Sequence, residues 1–465
     1  MKKTKIVCSI GPASCDVDVM KMMVNNGMNV ARINFSHATL EEKQCVVETV
    51  KKVREITGKH IGILYDTKGP EFRNGMLEND SINLVPGKTI RIVKENVLGN
   101  EERFSVNHSS AVDSLNVGNV VLLENGLMKI EVISKEEDGV TCRIVNGGVL
   151  GNKKSLSAPG VHLDIPFISE VDEEDIRYAC RHDGDFLALS FVSTKNDLLE
   201  AKKIIDEENS NIKIISKIES TTGIENLKEI VELSDGVMVA RGDLGVEAPM
   251  EQIPFLQKAI IKECRRQGKF CIVATEMLES MKKNARPTRA EVSDIANAVI
   301  NGTDAVMLSG ETTTGNFPVE TVRYMANICE EAERHLEYTI HKDTVVSDVS
   351  EAISASVVDT SNLLNAKLIV AATMSGKTAR LISNLRPRSL ILANTPSEEV
   401  ARGLALNAGV YPVITKEYES TDEIVEDAIV KAKEFTKIEK DDLLIITGGF
   451  PNNAKTTNFM KIEKM

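Results

Sequence analysis

A lysine and a glutamate two residues apart, Lys217 and Glu219, close an apolar, β-branched run that begins at Lys213. Strand side chains alternate, so the two project to one face. Inside a parallel sheet both faces are covered, and two charges there cost roughly several kcal/mol of desolvation unless a partner, metal or ligand offsets them. The pair is therefore a buried ion pair or a site, and the other strand ends decide between these. Arg32-Ile-Asn-Phe-Ser-His37, Asp66-Thr-Lys-Gly-Pro-Glu71, Arg241-Gly-Asp243, Thr275-Glu276 and Ser309-Gly-Glu311 each close a similar run. Convergence of polar strand ends on one rim is the pattern of a barrel active site.

The residue types point to phosphoryl transfer. Glu219 and Asp243 sit one βα unit apart, and two carboxylates with open positions suit Mg²⁺, which keeps waters and recruits phosphate oxygens. Arg32, Arg73 and Lys217 supply the positive charge that a moving phosphoryl group needs. Gly242 lets backbone N–H groups approach an anion where a helix begins. Asn34, Ser36, Asp66 and Thr67 offer oxygen only, one carboxylate among neutral groups, a set suited to a weakly charged cation or to plain turn duty. Thr288 and Glu291 in Arg286-Pro-Thr-Arg-Ala-Glu291 read as a capping box, which leaves Arg286 and Arg289 unexplained.

Eight runs must position these groups: 4–10, 30–35, 61–66, 186–192, 213–219, 236–241, 270–275 and 305–309. They alternate with amphipathic stretches, such as Val46, Val50 and Val53 stopped at Gly58, and this βα grammar repeated eight times predicts a (β/α)₈ TIM barrel. More than a hundred residues separate the third and fourth runs, where a βα unit needs roughly thirty. The intervening stretch has alternating strands and turns at Val85-Pro-Gly87, Leu123-Glu-Asn-Gly126, Glu137-Asp-Gly139 and Asn146-Gly-Gly148. It reads as a small all-β domain inserted at the rim as a lid. The expected division is 1–68 with 163–340 as catalytic barrel, 69–162 as lid and 341–465 as a C-terminal α/β regulatory domain, the last with an edge strand at 458–465. Of the 465 residues 42% are hydrophobic, enough for this much core, and the net charge of −13 argues against nucleic acid or an acidic membrane as partner. The eight cysteines are scattered, without CxxC or His pairing, and no run of about 18 apolar residues occurs, which predicts reduced thiols and a cytoplasmic protein.

Ala371-Ala-Thr-Met-Ser-Gly-Lys-Thr378 follows a run and opens a helix, differing from a Walker A loop by one glycine. It proposes either an NTPase or, more simply, a small-anion site at a helix N-terminus.

Taken together, Ala31-Arg-Ile-Asn-Phe-Ser-His37, Asp66-Thr-Lys-Gly-Pro-Glu71, Ile214-Ile-Ser-Lys-Ile-Glu219, Met238-Val-Ala-Arg-Gly-Asp-Leu-Gly245, Met277-Leu-Glu-Ser-Met281 and Met307-Leu-Ser-Gly-Glu311 closely resemble the pyruvate kinase family along essentially the whole chain. The resemblance implies phosphoryl transfer between phosphoenolpyruvate and ADP, giving pyruvate and ATP, in a homotetramer that uses Mg²⁺ (or Mn²⁺) and K⁺. It implies that Lys217, Thr275 and Arg32 are catalytic, with Lys217 on the phosphoryl group, Arg32 on the phosphate and Thr275 on the route that protonates the enolate. It assigns Glu219 and Asp243 to Mg²⁺, and the amides of Gly242 and Asp243 to the substrate carboxylate. Asn34, Ser36, Asp66 and Thr67 fall to K⁺, with Glu71 the residue that goes with potassium dependence. Asn34, His37 and Arg73 face the nucleotide. Thr373, Ser375, Gly376, Lys377 and Thr378 would cradle a phosphorylated effector. The chain departs from the family pattern at Ala38, Glu276, Ser193-Thr194, Glu124-Asn125-Gly126 and 450–455, which bears on the nucleotide and effector contacts; Lys195 is the candidate replacement for a basic residue lost at Ser193. A metabolite sensor without turnover and an NTPase working through 371–378 are the alternatives to a kinase.

Overall fold

The computed structural model describes residues 1–36, 38–337, 347–449 and 456–465. His37 and the 450–455 element fall outside the described residues.

Eight parallel strands close a barrel in chain order: Lys5–Ser9, Val30–Asn34, Gly62–Asp66, Phe186–Leu189, Lys213–Ile218, Gly236–Ala240, Phe270–Ala274 and Ala305–Leu308. The first strand pairs with both the second and the eighth, with Lys5 opposite Ala305. All eight expected runs are strands, but several end sooner than the sequence suggests. Glu219, Thr275 and Ser309 lie just past the ladder, because a polar residue leaves the sheet where the barrel opens to solvent. Helix Leu40–Thr57 ends at Gly58, whose φ of 64° needs a glycine-like left-handed turn. Thr288 and Glu291 form the expected capping box, and Glu291 also accepts from Ser280 N and Oγ at 2.7 and 2.6 Å.

The even strands share a device at the opposite, N-terminal face. Asn29, Asp185, Asp235 and Asp304 immediately precede strands two, four, six and eight. Their side chains accept from the amides of Ile6, Ile63, Ile214 and Cys271 on the preceding odd strands, at 2.9 to 3.0 Å. Each satisfies a backbone donor at the point where the ladder begins.

Between the third and fourth barrel strands the chain builds a six-stranded sheet and a two-stranded ribbon, Ser81–Leu84 with Gly148–Gly151. The sheet is cored by alternating residues such as Ile90, Ile92, Phe104, Ile130, Val132 and Cys142. The C-terminal sheet has four parallel strands, Val410–Ile414, Leu390–Thr395, Leu368–Ala372 and Leu443–Gly448, and the expected edge strand, Phe459–Lys464, pairs antiparallel.

Two anchors tie this C-terminal unit to the bottom of the barrel. Asp185 accepts from Arg54 Nη2 at 3.1 Å and Arg402 Nε at 2.8 Å, while Asp304 accepts from Arg386 Nη2 at 2.7 Å and Ala408 N at 3.2 Å. Ala405 and Leu406 pack into the barrel lumen against a cluster that includes Val7, Leu64, Phe186, Ile215 and Phe270. The lumen is thus sealed from below by another part of the chain.

Candidate active site

The polar strand ends meet at the C-terminal rim around Lys217. Its Nζ lies 2.7 Å from Ser190 Oγ, 3.0 Å from Glu219 Oε1 and 3.2 Å from Asp66 Oδ1. Arg32 extends the network, donating Nε–H to Asp66 Oδ2 and Nη1–H to Ser9 Oγ, both at 2.7 Å. Asp66 and Glu219 are each 1% exposed and Arg32 9%. The Lys217–Glu219 bridge forms at 3.0 Å, because the same face that would serve a ligand brings the two groups together.

The charge states differ within this cluster. Burial opposes the Lys217 cation, yet Asp66 and Glu219 outweigh it and hold the ammonium protonated. Burial also opposes the Asp66 carboxylate, and Lys217 and Arg32 reverse the balance, so its pKa is lowered. Glu219 goes the other way: burial, assisted by Asp243 and only partly offset by Lys217, pushes it up to about 7. Its Oε2 accepts from Phe191 N at 2.7 Å, whereas the buried Oε1 accepts no hydrogen bond of acceptable geometry despite the nearby ammonium. A buried oxygen with open lone pairs, beside the exposed carboxylate of Asp243, fits a divalent cation completed by water or ligand oxygens. Among the described residues no group of three or more His, Cys, Asp or Glu could hold a metal.

Thr275 and Glu276 have φ of 70° and 53°, and Phe191 of 59°, left-handed values that cost non-glycine residues energy and cluster at working sites. Thr275 Oγ1 accepts from Gly242 N at 2.9 Å and donates to Ala274 O at 2.7 Å. Arg241 does not face the rim as a charge donor. It pairs with Asp294 at 2.6 Å and donates to the carbonyls of Ala274 and Thr275, so it fixes the strained turn. Glu311 is likewise structural, buried on the amides of Leu278 and Ser309.

Asn34 and Asp66 are register partners on adjacent strands. Asn34 Oδ1 accepts from Ser36 N at 3.2 Å, and Thr67 Oγ1 from Ser190 N at 3.2 Å. The four residues therefore share one rim sector, and their oxygen-only donor set fits a monovalent cation. Ser9 and Ser190 were not singled out from sequence; a lone serine at the end of an apolar run carries no signal until its neighbours are known.

A cleft of about 440 Å³ opens between the inserted domain and the rim, lined by Arg73, Lys154 and Ser157 above and by Ser193, Ser220 and Asp243 below. Arg73 grips Glu71 through two bonds of 2.9 and 2.6 Å, and donates Nη1–H to Lys153 O. Lys195 is exposed and turned to Glu229 at 3.7 Å, so it does not line the cleft as a substitute for a basic residue at Ser193. Ser157 hydrogen-bonds Glu247, at the end of helix Arg241–Glu247, the helix that carries Gly242 and Asp243.

In the C-terminal unit, Thr373, Ser375, Lys377 and Thr378 line a cavity of about 200 Å³ with Asn394 and Tyr418. Gly376, at φ 78°, turns the chain into helix Lys377–Asn384. Among the described residues no strand of this sheet ends in aspartate, the position of the Walker B partner that an NTPase uses.

Barrel, inserted β domain and charged rim together define a (β/α)₈ enzyme with its cleft between the insertion and the rim. A family model for the pyruvate kinase barrel domain matches residues 1–322, and one for the pyruvate kinase alpha/beta domain matches 351–463. Pyruvate kinases of Staphylococcus epidermidis and Staphylococcus aureus are each 46% identical over 470 residues, spanning 100% of this chain and 80% of theirs. A crystal structure of a pyruvate kinase from Cryptosporidium parvum is 39% identical with a TM-score of 0.96, covering 100% of this chain and 96% of that one. The chain belongs to the pyruvate kinase family. Among the described residues no helix is long and apolar enough to cross a membrane.

Proposed function

We propose that this chain moves the phosphoryl group of phosphoenolpyruvate to ADP, giving pyruvate and ATP, at the rim around Lys217. The observation that carries the reading is Lys217 itself, a mostly buried side chain whose ammonium is kept charged by Asp66 and Glu219 where the rim strands converge. A preorganised cation in a low-dielectric site stabilises charge spread over a transferring phosphoryl group without reorganising. Arg32, fixed by Asp66 and Ser9, orients the phosphate from the neighbouring strand. The amides of Gly242 and Asp243, at the start of their helix, receive the substrate carboxylate, for which Gly242 N–H exchanges its bond to Thr275 Oγ1. Thr275 Oγ1, already bonded to Gly242 N and Ala274 O, sits on the route by which the enolate gains its proton.

Mg²⁺ or Mn²⁺ held by Glu219 and Asp243 would neutralise the phosphoryl oxygens. K⁺ held by Asn34, Ser36, Asp66 and Thr67 would add positive charge beside the phosphate, with Glu71 as the residue linked to that dependence. The nucleotide occupies the cleft under the 69–162 insertion beside Arg73, with Asn34 as a further contact. The loop from Thr373 to Thr378 binds a phosphorylated regulator, and the enzyme works in the cytoplasm as a homotetramer.

The test is pyruvate formation from phosphoenolpyruvate and ADP with Mg²⁺, with and without K⁺, for the wild type and Lys217→Met. Lys217→Met is expected to lower kcat by at least roughly a thousandfold. Turnover that survives the substitution removes the central assignment, and equal rates without K⁺ remove the monovalent site alone.

A further inference from the structure

Two thiols meet at the surface, in a place the transfer chemistry does not use. Cys15 Sγ and Cys45 Sγ lie 3.2 Å apart, and all eight cysteines are free thiols. Cys45 is exposed and Cys15 partly so, while Cys8, Cys142, Cys264, Cys271 and Cys329 are buried. Both partners sit on fixed backbone. Cys15 N donates to Gly11 O at 2.9 Å, Thr49 Oγ1 donates to Cys15 O at 3.1 Å, and the next residue, Asp16, caps helix Val17–Asn25. Cys45 lies in the second turn of helix Leu40–Thr57, with Thr49 one turn further along the same face. Bond formation therefore needs the sulfurs to close from 3.2 Å to about 2.05 Å.

We propose that Cys15 and Cys45 form a dithiol site that hydroperoxides close to a reversible disulfide. In the first step the Cys45 sulfur attacks the peroxide O–O bond, leaving Cys45 as sulfenic acid and releasing water or an alcohol. In the second, the Cys15 sulfur displaces hydroxide from that sulfenic acid; the Cys15 proton leaves with it as water, and the S–S bond forms. The peroxide is reduced by two electrons and the two thiols supply them. Burial and the neighbouring thiol push Cys15 up to about 11, which makes it the poorer first nucleophile, while the exposed Cys45 meets the oxidant first. The new bond ties the loop that follows Ser9 to the helix that follows Ser36, the segments on either side of the Arg32 strand.

The full-length protein, treated with hydrogen peroxide under native conditions and mapped by mass spectrometry after digestion, is expected to yield a Cys15–Cys45 cross-linked peptide. That peptide should be lighter by two hydrogen atoms and lost on addition of dithiothreitol. Cys45→Ser should give no cross-link, and Cys15→Ser should leave a sulfenic acid at Cys45 that a cyclic 1,3-dione traps; unchanged turnover of both variants before oxidation checks their fold. The proposal is overturned if wild-type Cys45 advances to sulfinic acid without cross-linking. It is equally overturned if dione labelling of wild type matches that of Cys15→Ser, or if the cross-links join other cysteines.

Discussion

Glu219 is a carboxylate kept in the wrong place for stability and the right one for binding a cation. Its pKa is raised to about 7, above the usual 4.5, with burial as the first cause. A raised carboxyl contributes stability that is fully present below about pH 4.5 and is lost as pH rises through about 7. Above pH 7, without divalent cation, the folded protein carries a buried charge that the unfolded chain solvates. Glu219→Gln cannot ionise and is expected to be more stable than wild type at pH 8 in EDTA, by up to on the order of 3 kcal/mol, with the difference shrinking towards pH 5. Urea unfolding at the two pH values checks this, and a pH-independent difference would refute the assignment. Lys217, Glu219, Asp66 and Arg32 were legible from sequence because full charges ending apolar runs demand an account. Ser9, Ser190 and the anchoring role of Arg241 were not, because each depends on a partner from another strand.

The helix Arg241–Glu247 links two parts of the candidate site. Its first turn carries Gly242 and Asp243, and its last residue bonds Ser157 at the edge of the inserted domain. Burial, with Asp243 adding to it, raises the Glu247 carboxyl, so this contact is made in a poorly solvated setting. Glu247→Ala is expected to loosen the lid edge, raising KM for ADP about tenfold while kcat changes less, and to speed amide exchange around 155–158. Unchanged KM and exchange would show that the contact does not hold the lid. The barrel strands could be read one by one because each is local and periodic. The inserted sheet's order could not: its ribbon joins Ser81–Leu84 to Gly148–Gly151 across more than sixty residues, a pairing that no short window of sequence records.

At the scale of the whole molecule, the barrel's N-terminal face is an adhesive surface. Asp304 serves its own barrel through Cys271 N and the C-terminal unit through Arg386 and Ala408 N. Asp304→Ala leaves a mostly buried guanidinium without its carboxylate and is expected to destabilise the protein by roughly 3–5 kcal/mol. Urea unfolding should show the C-terminal unit melting first, and an unshifted midpoint would count against the anchor. The Asn or Asp before each even strand was present in the sequence, at Asn29, Asp185, Asp235 and Asp304, but without the barrel's pairing such residues pass as ordinary turn formers.

The seal at the bottom of the lumen also sets an order of events during synthesis. Leu406 is added 98 residues after Leu308, the end of the last barrel strand (406 − 308). At about 5–20 residues per second, the ribosome leaves a closed set of strands waiting several seconds for the side chains that complete its interior. During that interval Phe186 and Phe270 line an open-ended tube, and a nascent chain stalled there presents an apolar mouth to chaperones or to a neighbouring chain.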